Sequence, residues 1–302
     1  MNNFPKYLVA YDGSPHSKTA LDWAIALGCQ TGAEIEVVKV FEPIIRHYTS
    51  SDYNISEQIV EQFAEMEKVD HQMMEDIKTF KADSCTIKIQ TKILKGPVAA
   101  TLLDYASKNA VSMIIAGTKG HHLLEKLMVG SVTSSLVALS KVPVMIVTDQ
   151  RETACPKKLL VAYDGSEHAK KALALAVGLG KRIGAEILAA KVIDPVDLAV
   201  IYSNIEPGAE VKIESGLSGL DEADKTMMEE AKSIGEASGV KIMTTILTGD
   251  NIADTIIRYA EEQEVDIIVA GTLGKGLLSE LMVGSVAKNL VTLAQMPVLV
   301  AK

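Results

Sequence analysis

Six glycines and two serines are spaced in a way that could hold an anion. Gly117 and Gly120 are followed, after nine intervening residues, by Gly130 and Ser131, and Gly271 and Gly274 are followed at the same interval by Gly284 and Ser285. Glycines let the backbone approach an anion closely and take positive φ. A serine that opens a helix lies where free N–H groups and the positive dipole end favour phosphate. One such spacing alone fits equally well with glycines that only end strands and begin helices. Asp12 and Asp164, each in Tyr-Asp-Gly-Ser, place a carboxylate that could assist a Mg²⁺ ion, but no second carboxylate is evident beside either.

Other chemistry is weakly signalled. The chain has no G-x4-G-K-[ST] loop, no H-E-x-x-H and no G-x-S-x-G. His16 and His168 follow Asp-Gly-Ser, but consecutive placement does not set up a Ser-His-Asp geometry. Met73-Met74 and Met227-Met228 read as core packing. Cys29, Cys85 and Cys155 are an odd, widely spaced set, which argues against both a disulfide framework and a zinc site. A net charge of −9 and few aromatic side chains argue against nucleic acid as a partner. No apolar run is long enough to cross a bilayer, and the first residues lack a secretory signal, so we expect a soluble, cytoplasmic protein with no membrane partner.

The elements that must position these residues occur twice. Lys6 to Pro43 and Lys158 to Pro195 match at more than half their positions without a gap, and Gly117 to Val147 matches Gly271 to Ala301. The repeat is domain-sized, and the polar stretch around Arg151 reads as a linker, giving domains 1–150 and 151–302. Each half alternates short apolar runs with amphipathic ones. Leu8–Ala10 and Ile35–Phe41 read as apolar strands, Ser112–Ala116 and Pro143–Val147 as strands buried on both faces, and Thr86–Leu94 alternates as a strand with one wet face or at a sheet edge would. Helices are expected after Ser14, over about 56–80, from Gly96 to about Lys108, and from Ser131. This order implies an α/β fold with a parallel sheet, helices on both faces, and ligand sites at the carboxyl ends of the strands. The last strand of each half should lie at a sheet edge, where pairing of the two halves would cover it.

The repeated G-x2-G-x9-G-S loop, joined to Asp12 or Asp164 in a sheet of this order, resembles the ATP-binding branch of the universal stress protein family. The resemblance covers nearly the whole chain and looks like a tandem member. It implies two tandem Rossmann-like domains of the adenine nucleotide alpha hydrolase-like type, each a five-stranded parallel sheet. It also implies ATP, or ADP or AMP, with Mg²⁺ as a candidate companion. By resemblance, Ala10, Tyr11, Asp12, Val40, Gly117, Gly120, His121, Gly130, Ser131, Val132 and Thr133 form the first site. Ala162, Tyr163, Asp164, Val192, Gly271, Gly274, Gly284, Ser285 and Val286 form the second.

Thr133 is replaced in the second copy by Ala287, which removes a hydroxyl that could bond a phosphate oxygen. The first site is therefore expected to be the tighter one. The resemblance implies a role in stress response by nucleotide-dependent binding and signalling, with an unknown protein partner and a pseudo-dimer of the two domains or a further homodimer. Two other readings stay open: a slow ATPase or adenylate-transferring enzyme using the same pocket, and an interaction module with vestigial sites.

Overall fold

A short apolar strand runs into a capped helix at the start of each half. In the first, β1 (Lys6–Ala10) leads to α1 (Pro15–Thr31), where Ser14 accepts a hydrogen bond from the Ser17 amide and proline occupies the first turn. Gly32 ends the helix with φ of 71°, the left-handed conformation that glycine adopts without strain. The chain continues through β2 (Glu34–Phe41), α2 (Glu57–Thr79), β3 (Ile89–Lys95), α3 (Val98–Lys108), β4 (Met113–Gly117), α4 (Ser131–Leu139) and β5 (Val144–Val147).

The second half repeats this as β6 (Lys158–Ala162), α5 (Glu167–Ile183), β7 (Glu186–Ile193), α6 (Glu222–Ala237), β8 (Ile242–Thr248), α7 (Ile252–Glu262), β9 (Ile267–Gly271), α8 (Ser285–Leu293) and β10 (Val298–Ala301). The structure is a computed structural model that describes residues 5–42, 57–79, 85–118, 130–148, 155–193, 222–273 and 283–302. The chain divides into two units, 1–155 and 156–302.

Within the first unit the strand order is β3-β2-β1-β4-β5, and within the second β8-β7-β6-β9-β10, each a parallel sheet. The expected five-stranded α/β architecture is present in both. β3 takes an outer position, one of the two placements its alternation allowed, and β5 and β10 come last in the order within their own units. The order reverses between β1 and β4, and right-handed crossovers then put α1 and α2 on one face and α3 and α4 on the other. β1, β4 and β5 have buried interiors throughout, Leu8, Val9, Ile114, Ile115 and Met145 being inaccessible to solvent. No helix among the described residues is long and apolar enough to cross a membrane.

The cysteine reading is corrected. Cys29 near the end of α1 and Cys85 before β3 form a disulfide, with Cα atoms 5.8 Å apart, inside the range a bridge spans. Only Cys155 remains free, and it is exposed. Count and spacing missed the pair because 56 residues separate the two in sequence, and the fold brings them together. In the second unit Lys181 stands where Cys29 does, and its Nζ donates to the Ser238 carbonyl at 3.0 Å, so a hydrogen bond closes the same junction.

A second difference lies on the other face. Glu36 on β2 is buried at 2% exposure, and Tyr105 on α3 donates to its Oε1 at 2.5 Å, while Lys6 Nζ lies 3.5 Å from Oε2. Burial, then the hydrogen bond and charge of Glu36, push the Tyr105 hydroxyl above the ordinary tyrosine range. In the second unit the matching strand residue is Leu188, buried among apolar neighbours, and the matching tyrosine is Tyr259.

Tyr105→Phe should lower stability by about 1 to 3 kcal/mol in denaturant unfolding, because it leaves a buried carboxylate oxygen without its donor, whereas Tyr259→Phe should be nearly neutral. Reducing the disulfide should lower the stability of the first unit by about 2 to 4 kcal/mol, measured on the full chain with and without a thiol reductant.

Candidate functional site

The carboxyl ends of β6, β7 and β9 surround a cavity of about 420 Å³ that the first turn of α8 closes. Ligand sites typically occupy about 300–1,000 Å³, so the space suits a small molecule. Of the nine residues expected in this half, eight line it: Ala162, Tyr163, Asp164, Val192, Gly271, Gly284, Ser285 and Val286. Gly274 lies outside the described residues. Ile252 and Ile256 of α7 add an apolar wall that the motif did not indicate; the amphipathic pattern of that helix was the available signal.

The first half places its residues at the same points of the fold. Ala10 ends β1, Tyr11 and Asp12 follow it, Val40 is the penultimate residue of β2, and Gly117 ends β4. Gly130 caps α4, and Ser131, Val132 and Thr133 form its first turn. Gly120 and His121 lie outside the described residues. Burial, then the charges of Asp12 and Asp22, raise the Tyr11 hydroxyl above its ordinary value.

The acidic residue at each site also organises the turn. Asp12 Oδ1 accepts from the Ser14 amide at 3.0 Å and the Ser14 hydroxyl at 2.6 Å, and Asp164 Oδ1 accepts from the Ser166 amide at 3.0 Å. Gly13 and Gly165 between them take φ of 87° and 76°. Positive φ is therefore used in the Asp-Gly-Ser turn. Gly117, Gly130, Gly271 and Gly284 do not use it, which corrects part of the glycine argument.

Two of those glycines are needed for a different close approach. A Cβ on Gly117 would stand 2.6 to 2.8 Å from the backbone and Cβ of His16, and one on Gly271 would stand 2.7 to 2.8 Å from the same atoms of His168. The first turn of α1 or α5 therefore rests directly on the end of β4 or β9. His16 and His168 contribute this seat through their main chain and Cβ atoms.

Gly130 and Gly284 have φ near −60° and ψ near 150°, and no side chain caps the helix behind them. Ser14, Ser166 and Asn251 do cap α1, α5 and α7. Among the described residues, the first turns of α4 and α8 thus start at the site without a side-chain cap for their N–H groups, which an anion can satisfy. Each glycine amide is held by the Thr118 or Thr272 carbonyl, at 2.9 and 2.7 Å.

Thr133 is used differently from the expectation. Its hydroxyl is buried and donates to the Gly117 carbonyl at 2.8 Å, so its proton is committed inside the protein and ties α4 to β4. Ala287 in the second copy lacks that tie. Lys39 and Lys191, which sequence reasoning passed over, also belong to the sites: Lys39 Nζ donates to the Asp12 carbonyl at 3.1 Å, and Lys191 lines the second cavity. Their recurrence inside apolar strands was the available signal.

The model of the universal stress protein family matches residues 3–148 and again 156–302. The chain belongs to the universal stress protein family. A universal stress protein of Mycobacterium tuberculosis strain H37Rv is 24% identical over 98% of this chain and 94% of its own length. One from Methanocaldococcus jannaschii is 34% identical over 48% of this chain and 82% of its own. A crystal structure of a universal stress protein from Archaeoglobus fulgidus covers 98% of both chains with a TM-score of 0.70 at 23% identity, which supports the fold. This universal stress protein therefore carries two family domains, as the internal repeat implied.

Gly117→Ala and Gly271→Ala should each cost about 1 to 3 kcal/mol in denaturant unfolding, since the new methyl must displace helix backbone. An equal stability of Gly117→Ala and wild type would show that the seat of α1 is not tight.

Proposed function

We propose that this universal stress protein binds ATP at the strand-end sites of both domains and acts through ligand-dependent binding and signalling in the cytoplasm, not through rapid turnover. The observation that carries this reading is the second-unit cavity, in which an uncapped helix start, the Asp164 turn and the end of β7 face one space. The N–H groups of the first turn of α8 and its positive dipole end would hold phosphates. Val192 and the apolar residues of α7 would border the adenosine. In the first unit, Gly130, Ser131, Val132, Asp12 and Val40 would take the same roles, with Gly120 and His121 contributing from the connecting loop.

Bound nucleotide would stabilise the folded domain by mass action and bias which surface a protein partner meets. The first site should be the tighter of the two. Its advantage comes from Thr133, which fixes the start of α4 against β4, rather than from a bond to phosphate.

Purified protein, heat-denatured, should release adenine nucleotide, and isothermal titration with ATP should resolve two sites. Gly130→Asp and Gly284→Asp should each remove one. Aspartate is a favoured N-cap residue at this backbone conformation, so the fold should survive while the negative charge repels phosphate. A stronger surviving site in Gly130→Asp than in Gly284→Asp would overturn the order of affinities. Steady multiple turnover of ATP, lost in Gly130→Asp, would favour the slow-ATPase reading. No nucleotide release and no titration heat would favour an interaction module.

A further inference from the structure

Lysine interrupts the apolar run of the second strand at the same place in both copies: Lys39 in Val-Val-Lys-Val and Lys191 in Ala-Ala-Lys-Val. Each is drawn inward to a carboxylate on the following helix. Lys39 pairs with Asp70 of α2 at 3.2 Å, and Lys191 pairs with Asp224 of α6. All four side chains are largely withdrawn from water, with 15 to 18% of their surface exposed. Taking an ion pair out of water contributes little net stability, and an apolar pair of similar size often does as well. A duplicated pair of this kind therefore calls for a role beyond holding the fold.

The second contact of Lys39 supplies one. The same Nζ donates to the Asp12 carbonyl at 3.1 Å, in the turn whose Tyr11 amide is bonded to the Val38 carbonyl at 3.0 Å. The turn that carries Asp12 is thus held by β2 through its backbone and by Lys39 through its side chain, and the lysine passes on to α2. In the second unit Lys191 lines the cavity while its Nζ reaches Asp224.

We propose that Lys39 and Lys191 are positioning residues of the ligand sites, Lys39 linking the Asp12 turn to α2 and Lys191 linking the wall of the second cavity to α6, so that occupancy of the site and the docking of that helix are coupled. The inference rests on the nucleotide reading and names how that site would be read elsewhere in the domain. A ligand that orders the Asp12 turn fixes the carbonyl that Lys39 holds, and a fixed ammonium holds Asp70 in turn. Helix and ligand then stabilise one another reciprocally.

The test is amide hydrogen exchange on the full chain with and without Mg·ATP, beside ATP titration. In wild type, ATP should slow exchange along residues 57–79. Lys39→Met should weaken the first site about tenfold, as expected for losing a charged hydrogen bond at one remove, and abolish the effect of ATP on α2. Asp70→Asn should abolish that effect and weaken ATP binding only by the coupling it removes, less than Lys39→Met does, because Lys39 still holds the turn. Lys39→Arg should restore both, and Lys191→Met should repeat the pattern on α6.

Unchanged affinity and unchanged α2 protection in Lys39→Met would overturn the proposal, as would ATP binding to wild type with no effect on α2. If wild type binds no ATP, the nucleotide reading fails, and the link is then judged in the ligand-free protein. Faster exchange of both the Tyr11–Gly13 amides and α2 in Lys39→Met would support it, and unchanged exchange would overturn it.

Discussion

Gly117 and Gly271 have no room for a side chain because the backbone of His16 or His168 occupies it, and that contact sets how closely the first helix of each copy lies against the sheet. The rest of the site depends on this distance. With α1 seated on the end of β4, the Asp-Gly-Ser turn that precedes the helix is carried over the point where strand order reverses. The same strand end, through Thr118, anchors the amide of Gly130 and so the start of α4. Two helix starts are thereby brought to one place. One is capped by its own serine, and the other has no side-chain cap among the described residues and can receive an anion.

The two copies reach this arrangement with different reinforcements. The junction between the first helix and the lead-in to the third strand is closed by a disulfide in one unit and by Lys181 bonding to a carbonyl in the other. A buried glutamate held by Tyr105 and Lys6 occupies a place that a leucine fills in the second copy. Thr133 ties helix to strand where Ala287 only packs. Backbone geometry is common to both because the parallel sheet and its crossovers impose it. Polar reinforcement is free to diverge, since a paired buried charge and a packed apolar side chain stabilise to similar extents.

Much of the architecture was legible in one dimension. Strand and helix alternation and the doubled domain follow from periodicity and from self-similarity, both properties of the chain alone, while the alternation of β3 allowed either an outer position or one wet face. Among the cavity-lining residues of the second unit, Gly271, Gly284 and Ser285 were reachable from a motif because they lie at a strand end and a helix start, whereas Ala162, Tyr163, Val192 and Val286 came only from the family resemblance. The lysine of the second strand was equally visible as a charge inside an apolar run, yet its meaning needed a partner on another element.

What the sequence by itself determined was the repeat, the order of elements and the end of the sheet at which chemistry can occur. Each of these depends on residues near one another in the chain. Tertiary structure alone decided which atoms those residues meet. Gly117 turned out to yield its side-chain space to a helix, and the Thr133 hydroxyl to bond a carbonyl of its own protein. Cys29 and Cys85 were brought within bridging distance, and Lys39 was set between the Asp12 turn and α2. The reason is the same in every case. Hydrogen bonds, ion pairs and close contacts act over a few ångströms, and only the packed fold brings residues tens of positions apart within that range.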